Sequence, residues 1–296
     1  MPNFGMSERH IKELFECNAI FSYDNTEYRV KMCGKPTCNK GEPKTDVYIL
    51  AESKNGEMEF KISFKQANAD FIENKTSAER AELILGSNWK DIIIDATTGI
   101  SDAFKAKPLI YKKSHKRTGV GSITLGWKYE LLNKSGGDLS GVVHLTHEQV
   151  IDVYAGTHLP VDKRNASVNG QTIRDSGIAN FILFDDKDIT DAQSVIDNII
   201  SVEEYVNMHP VVYFACKALN YRTFEHKYDG NRPLSVFVDW TVVDGKLDGK
   251  LVFDAPLVTK GDEVARKLLD CFDFLGIDTT DDIKDNTVTD SSIIIK

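Results

Sequence analysis

The chain has 296 residues, 41% hydrophobic and 27% charged, with a formal net charge of −9 at pH 7. That composition is ordinary for a soluble globular protein, and no run of about 18 apolar residues occurs, which argues against a transmembrane helix. The start MPNFGMSERH has no basic region followed by an apolar block, so no secretory signal is expected, and five cysteines at irregular spacing fit a reducing, cytoplasmic compartment better than a disulfide framework.

Residues 7–17 read as a helix, with Ser7 as N-cap and Ile11, Leu14 and Phe15 on one face. Residues 47–51 and 59–65 read as strands. Thr76-Ser77-Ala78-Glu79 has the form of a capping box, opening a helix that Gly86 closes. DIIIDA, residues 91–96, reads as a short buried strand, and SITLGWKYELL, residues 122–132, as another. Between Ala103 and Tyr129 there are seven Lys or Arg and no Asp or Glu. Thr146-His147-Glu148-Gln149 opens a helix ending near Gly156. GIANFILF (177–184) and VVYFAC (211–216) read as buried strands with helices across 190–208 between them. Residues 234–254 read as a hairpin and 262–275 as a last helix. Residues 261–296 hold nine acidic and four basic side chains, a net −5, and their end is expected to be frayed. Helices and strands mix without strict alternation, which predicts an α/β fold, in the mixed α+β sense, with a mixed sheet. The net charge argues mildly against a nucleic-acid partner, but a phosphate backbone meets the local field.

Asn-Gly between alternating strands signals a hairpin. With Asn55 and Gly56 as the turn, Lys54 faces Glu57, Tyr48 faces Ser63, and Asp46 faces Lys65. Directly opposed residues share a face, and Phe60, Ile62 and Phe64 fill the other one. In this register Glu59 faces Glu52, about 20 Å along the strand from Asp46 at about 3.3 Å per residue. Ser63-Phe64-Lys65, and not Glu59-Phe60-Lys61, is then the neighbour of Asp46.

Glu42-Pro43-Lys44-Thr45-Asp46, a hairpin, and Ile62-Ser63-Phe64-Lys65 resemble the PD-(D/E)xK nuclease superfamily, closest in style to type II restriction endonucleases. The resemblance covers about residues 41–75. It implies a restriction-endonuclease-like core, a central mixed sheet flanked by helices. It also implies Mg²⁺-dependent hydrolysis of double-stranded DNA, with Mn²⁺ able to substitute. Asp46 would be the central metal ligand. Ser63 stands where the family usually has a second acidic residue, and would hold a metal-bound water or offer its carbonyl. Lys65 would orient the attacking water. The missing carboxylate could come from Glu42, or from Glu13 or Glu16 on the first helix. These types suit the chemistry, since a hard divalent cation takes one or two carboxylates plus waters and phosphate, and the developing phosphorane charge is met by the metal and a cation. The division implied is 1–100 for the nuclease core with its hairpin, 101–260 for recognition elements and remaining strands, and 261–296 for the last helix and acidic tail, all in one continuous domain.

Lys112, Lys113, Lys116 and Arg117 are candidate phosphate contacts. Lys163, Arg164, Asn165, Asn169, Gln171 and Arg174 are candidate DNA contacts, because Arg reads guanine and Asn or Gln reads adenine in the major groove. Cys33 and Cys38 have no second pair for a zinc site, and His144, His147 and Glu148 lack the order of a zinc helix. CGKPTCNKG lacks the full phosphate-loop pattern. The resulting expectation is a sequence-specific endonuclease of prokaryotic or phage origin, off the membrane, acting alone or as a homodimer beside a methyltransferase of the same site. The alternatives are a structure-specific repair or recombination nuclease and a non-catalytic nucleic-acid-binding phage accessory protein.

Overall fold

The structure, a computed structural model, describes residues 4–39, 41–65, 71–73, 76–184 and 189–296. The chain forms two compact units, each from two stretches: Met1–Asp70 with Leu145–Val211, and Phe71–His144 with Val212–Lys296. Boundaries at 100 and 260 therefore do not delimit units. The chain leaves the first unit after its hairpin, builds part of the second, returns, and leaves again. Among the described residues no helix is long and apolar enough to cross a membrane.

In the first unit, α1 (Phe4–Leu14) precedes β1 (Ile20–Tyr23), β2 (Thr26–Gly34), β3 (Val47–Ser53) and β4 (Gly56–Lys65). Together with strands Phe181–Phe184 and Ile200–Ser201 they form a six-stranded sheet among the described residues, in that order across it. Neighbours from β1 to β4 are antiparallel, β4 and Phe181–Phe184 are parallel, and the last pair is antiparallel. The sheet is therefore mixed, as expected. Alternation along β3 and β4 sends Val47, Ile49, Ala51, Phe60, Ile62 and Phe64 to one face. There they join Ile11 of α1, Phe15 just beyond it, and Val195 and Ile196 of helix Ala192–Asn198 in one core. On Phe181–Phe184, Phe184 points opposite to core residues Phe181 and Leu183. It meets Tyr205 of helix Val202–Met208, which also contacts Tyr154 of helix His147–Ala155. Helices thus lie on both faces.

The hairpin register differs from the expected one. Ser53 pairs with Gly56 and Tyr48 with Lys61, so the central turn residues are Lys54 and Asn55. An Asn55-Gly56 turn of type I′ needs positive φ at both residues and one of type II′ at the first, and of the two only Gly56 has it, at 123°. Asp24-Asn25 and Asn169-Gly170 do have positive φ at both positions. At the β3–β4 turn Ser53 captures the local hydrogen bonds instead, accepting from Asn55 N at 3.1 Å and donating to Gly56 O at 3.2 Å. The slip is two residues, so every side chain keeps its face.

The second unit carries a nine-stranded sheet among its described residues, with Val212–Arg222 and Ser122–Leu132 as long central neighbours. The 234–254 hairpin is present as Val236–Val243 and Lys246–Val252. Two expectations fail here. DIIIDA lies inside helix Trp89–Thr98, where Trp89, Ile93 and Thr97, four residues apart, are the buried positions. Burial at helical spacing overrides the strand preference of three consecutive isoleucines. The acidic end is folded, not frayed: Ile283, Val288 and Ile294 are buried, and Ile294–Ile295 pairs parallel to Ile110–Tyr111. A smaller shift is that Ser77, not Thr76, caps helix Ala78–Leu85, accepting from Arg80 N.

Candidate functional site

Asp46 sits just ahead of β3, where the ladder breaks. Its backbone N donates to Ile62 O at 2.8 Å, although Ile62 is already the partner of Val47. Two residues of one strand thus face one of the other, the arrangement of a β-bulge, which re-aims a side chain. The Asp46 carboxylate then takes over the ladder, with Oδ2 accepting from Phe64 N at 2.8 Å. Asp46 therefore binds both chain neighbours of Ser63. The sequence reading set Asp46 opposite Lys65, and the observed register does not; Lys65 lies on the side of β4 that also carries Ser63. Ser63 is fully buried, and its Oγ has no hydrogen-bond partner among the described residues.

The rival lysine is held differently. Tyr48 Oη donates to Glu59 Oε1 at 2.6 Å, and burial, then Glu59, push the phenol pKa up, so it stays a donor. Lys61 Nζ lies 3.5 Å from Glu59 Oε2 and donates to Asp175 O at 3.2 Å. Asn180, which the sequence does not single out, completes this cluster. Its Oδ1 accepts from Lys61 N and its Nδ2 donates to Glu59 O, extending the parallel ladder with side-chain groups. Glu59 and Lys61 are engaged in building the sheet.

Magnesium is commonly held by one or two carboxylates with water and phosphate filling the rest. Asp46 supplies one carboxylate, and Ser63, whose two chain neighbours Asp46 binds, a buried hydroxyl. Glu42 is exposed in the preceding loop, and Glu13 and Glu16 are exposed on or just beyond α1, whose apolar side packs on the opposite face of the sheet. Among the described residues no group of three or more His, Cys, Asp or Glu side chains could hold a metal ion. The donor set thus fits a magnesium held through a single protein carboxylate and fits no fully protein-ligated centre. Cys33 Sγ donates to Lys12 O, and burial pushes its pKa up to about 12, so it is no thiolate ligand.

The 162–174 segment is only partly available for reading bases. Lys163 and Arg164 end the short helix Val161–Arg164, and Ser167–Val168 pairs with Gln171–Thr172 across Asn169-Gly170. Asn165 Oδ1 accepts from Asp175 N at 3.0 Å, and Asn169 Nδ2 donates to Cys33 O at 2.9 Å. Each amide thus has one group engaged in holding the segment in place. Gln171 and Arg174 are exposed, the Arg174 side chain to 91%.

The basic stretch folds into a hairpin tip in the second unit, closed by paired hydrogen bonds between His115 and Thr118. Much of its charge is met locally. Lys107 and Lys116 both contact Asp138 Oδ2, at 2.6 and 2.8 Å, and hold that carboxyl down at about 2. Lys112 turns inward, with Nζ donating to Ile283 O at 2.6 Å and Asp281 O at 3.3 Å. It ties the folded acidic end. Lys113, Lys116 and Arg117 are exposed. Changing Lys113 and Arg117 together to Ala is expected to flatten the plot of log duplex affinity against log salt by about 0.9 per lost contact. Lys112→Ala should leave that slope alone and lower stability instead. Equal slope changes for both variants would mean that Lys112 also reaches phosphate.

The other residue that sequence reasoning misses is Gly177. Its O accepts from Lys44 N at 3.0 Å and Thr45 N at 3.2 Å, and its N donates to Arg164 O at 2.8 Å. A Cβ there would lie 1.9 Å from Lys163 O, so only glycine allows the approach. Its sole mark in the sequence is a glycine at the start of an apolar run. No protein-family model, curated protein or solved structure matches this chain.

Proposed function

We propose that this protein is a Mg²⁺-dependent endonuclease that hydrolyses phosphodiester bonds of double-stranded DNA, in the manner of a type II restriction enzyme. One observation carries the reading: Asp46 brackets Ser63 at the open end of a central hairpin, with Lys65 two residues further on the same face. The mixed sheet with helices on both faces is compatible with the restriction-endonuclease-like core that the resemblance implies. Asp46 and Ser63 would hold the magnesium, directly and through water. The metal supplies charge neutralisation at the phosphate and activation of water. Lys65 orients the attacking water and meets the negative charge that builds on phosphorus.

A structure-specific repair nuclease is the second reading. The engagement of Asn165 and Asn169 in the fold favours it, since it leaves fewer base readers. The test of the site compares two lysines on one labelled duplex. Lys65→Ala should slow single-turnover cleavage by about 10²–10³-fold, the scale of losing one charge-stabilising group. Lys61→Ala should remain within about tenfold of wild type and act through stability. A dead Lys61→Ala beside an active Lys65→Ala would move the site to Glu59 and Lys61.

A further inference from the structure

Three buried polar atoms of the first unit have no hydrogen-bond partner among the described residues and lie on segments tied together: Thr45 Oγ1, Ser63 Oγ and Arg164 Nε. Thr45 N donates to Gly177 O, Gly177 N donates to Arg164 O, and Ser63 lies between the two residues that Asp46 binds. The approach is close, because a Cβ on Gly177 would lie 2.9 Å from Pro43 Cβ as well as against Lys163 O. A buried donor without an acceptor is uncommon in a folded protein, and a bound ion or water is one of its ordinary explanations. For a guanidinium the fitting acceptor is an oxyanion, and phosphate matches its planar fork. A base reader must also project from the surface, as Arg174 does, whereas Arg164 is half-buried.

We infer that Arg164 is a phosphate clamp of the Asp46 site: its guanidinium binds a backbone phosphate of the DNA where Asp46 acts, and reads no base. The inference rests on the nuclease reading. A carboxylate alone beside a phosphate repels it, and Arg164 supplies the opposing charge that lets the phosphate settle.

Two quantities test it on the full chain with a duplex of the preferred sequence and a scrambled one. They are the salt slope of binding without metal, and the single-turnover rate with magnesium. Arg164→Gln should flatten the slope by about 0.9 for both duplexes and slow cleavage by about 10²-fold or more, leaving the ratio of the two affinities unchanged. An unchanged slope overturns the clamp, and so does a fall in that ratio, which would make Arg164 a base reader. Should the glutamine variant not fold, Arg164→Lys serves. It keeps the charge and loses the fork, so cleavage should slow about tenfold at unchanged slope, and a wild-type rate overturns the clamp. Asp46→Asn, measured alongside, separates the two ideas. If it cleaves like wild type while Arg164→Gln flattens the slope, the phosphate contact stands and the nuclease site falls. If it is inert while Arg164→Gln keeps the slope, the site stands and the clamp falls. A protein that binds neither duplex overturns both.

Discussion

Asp46→Asn should leave the protein folded and slow metal-dependent cleavage by about 10³-fold or more, the scale of removing several kcal/mol of transition-state charge stabilisation. The choice of asparagine follows from the geometry. Its side-chain oxygen can still accept from Phe64 N, the bond that Asp46 Oδ2 makes at 2.8 Å. Alanine would strand that N–H and cost about 1–3 kcal/mol of stability, confusing a folding defect with a chemical one. Without metal, duplex affinity should hold or rise, because a negative charge facing phosphate has gone. Single-turnover rates and a denaturation curve on the same sample read both effects. If Asp46→Asn cleaves as fast as wild type, Asp46 is a strand-end cap and nothing more.

The largest stability effect is expected at Phe60. The side chain is fully buried and lies 5.2 Å, centroid to centroid, from the ring of Phe21, 5.3 Å from Tyr23, 5.6 Å from Tyr28 and 5.6 Å from Phe181. Phe60→Ala removes the centre of that cluster and should cost about 3–5 kcal/mol. The chain has three tryptophans, Trp89, Trp127 and Trp240, all in the second unit, so their fluorescence follows that unit while far-UV circular dichroism follows the whole chain. In urea the variant should show an early dichroism change from the first unit. A midpoint within about 1 kcal/mol of wild type would mean that the aromatic cluster adds little to the core.

Where local chemistry and burial agreed, the fold was legible. Thr146 to Gln149 opens a helix as expected, here through a capping box, and Gly156 ends that helix in the left-handed conformation. The strand Ser122–Leu132 matches its sequence reading to the residue. Legibility failed where a distant partner decided. Ile92 to Ile94 favour a strand taken alone, but the positions buried by packing are spaced as on a helix. The acidic end looked solvated because its three buried apolar residues are diluted among charges, and its partner strand is some 180 residues away. At the candidate site the types of Asp46, Ser63 and Lys65 were readable, whereas their register was not. One serine hydroxyl at Ser53 settled which two residues turn. The internal partners of Lys112, Asn165 and Asn169 were not legible, because the backbone groups they hold lie far away in sequence or within an irregular turn.

The measurement that tests the central claim most directly is a digest of unmethylated phage DNA by the wild-type protein, with magnesium and with a chelator, resolved on one gel. The account predicts discrete fragments with magnesium and intact DNA with chelator. Intact DNA in both lanes, from a protein shown to be folded, would contradict it.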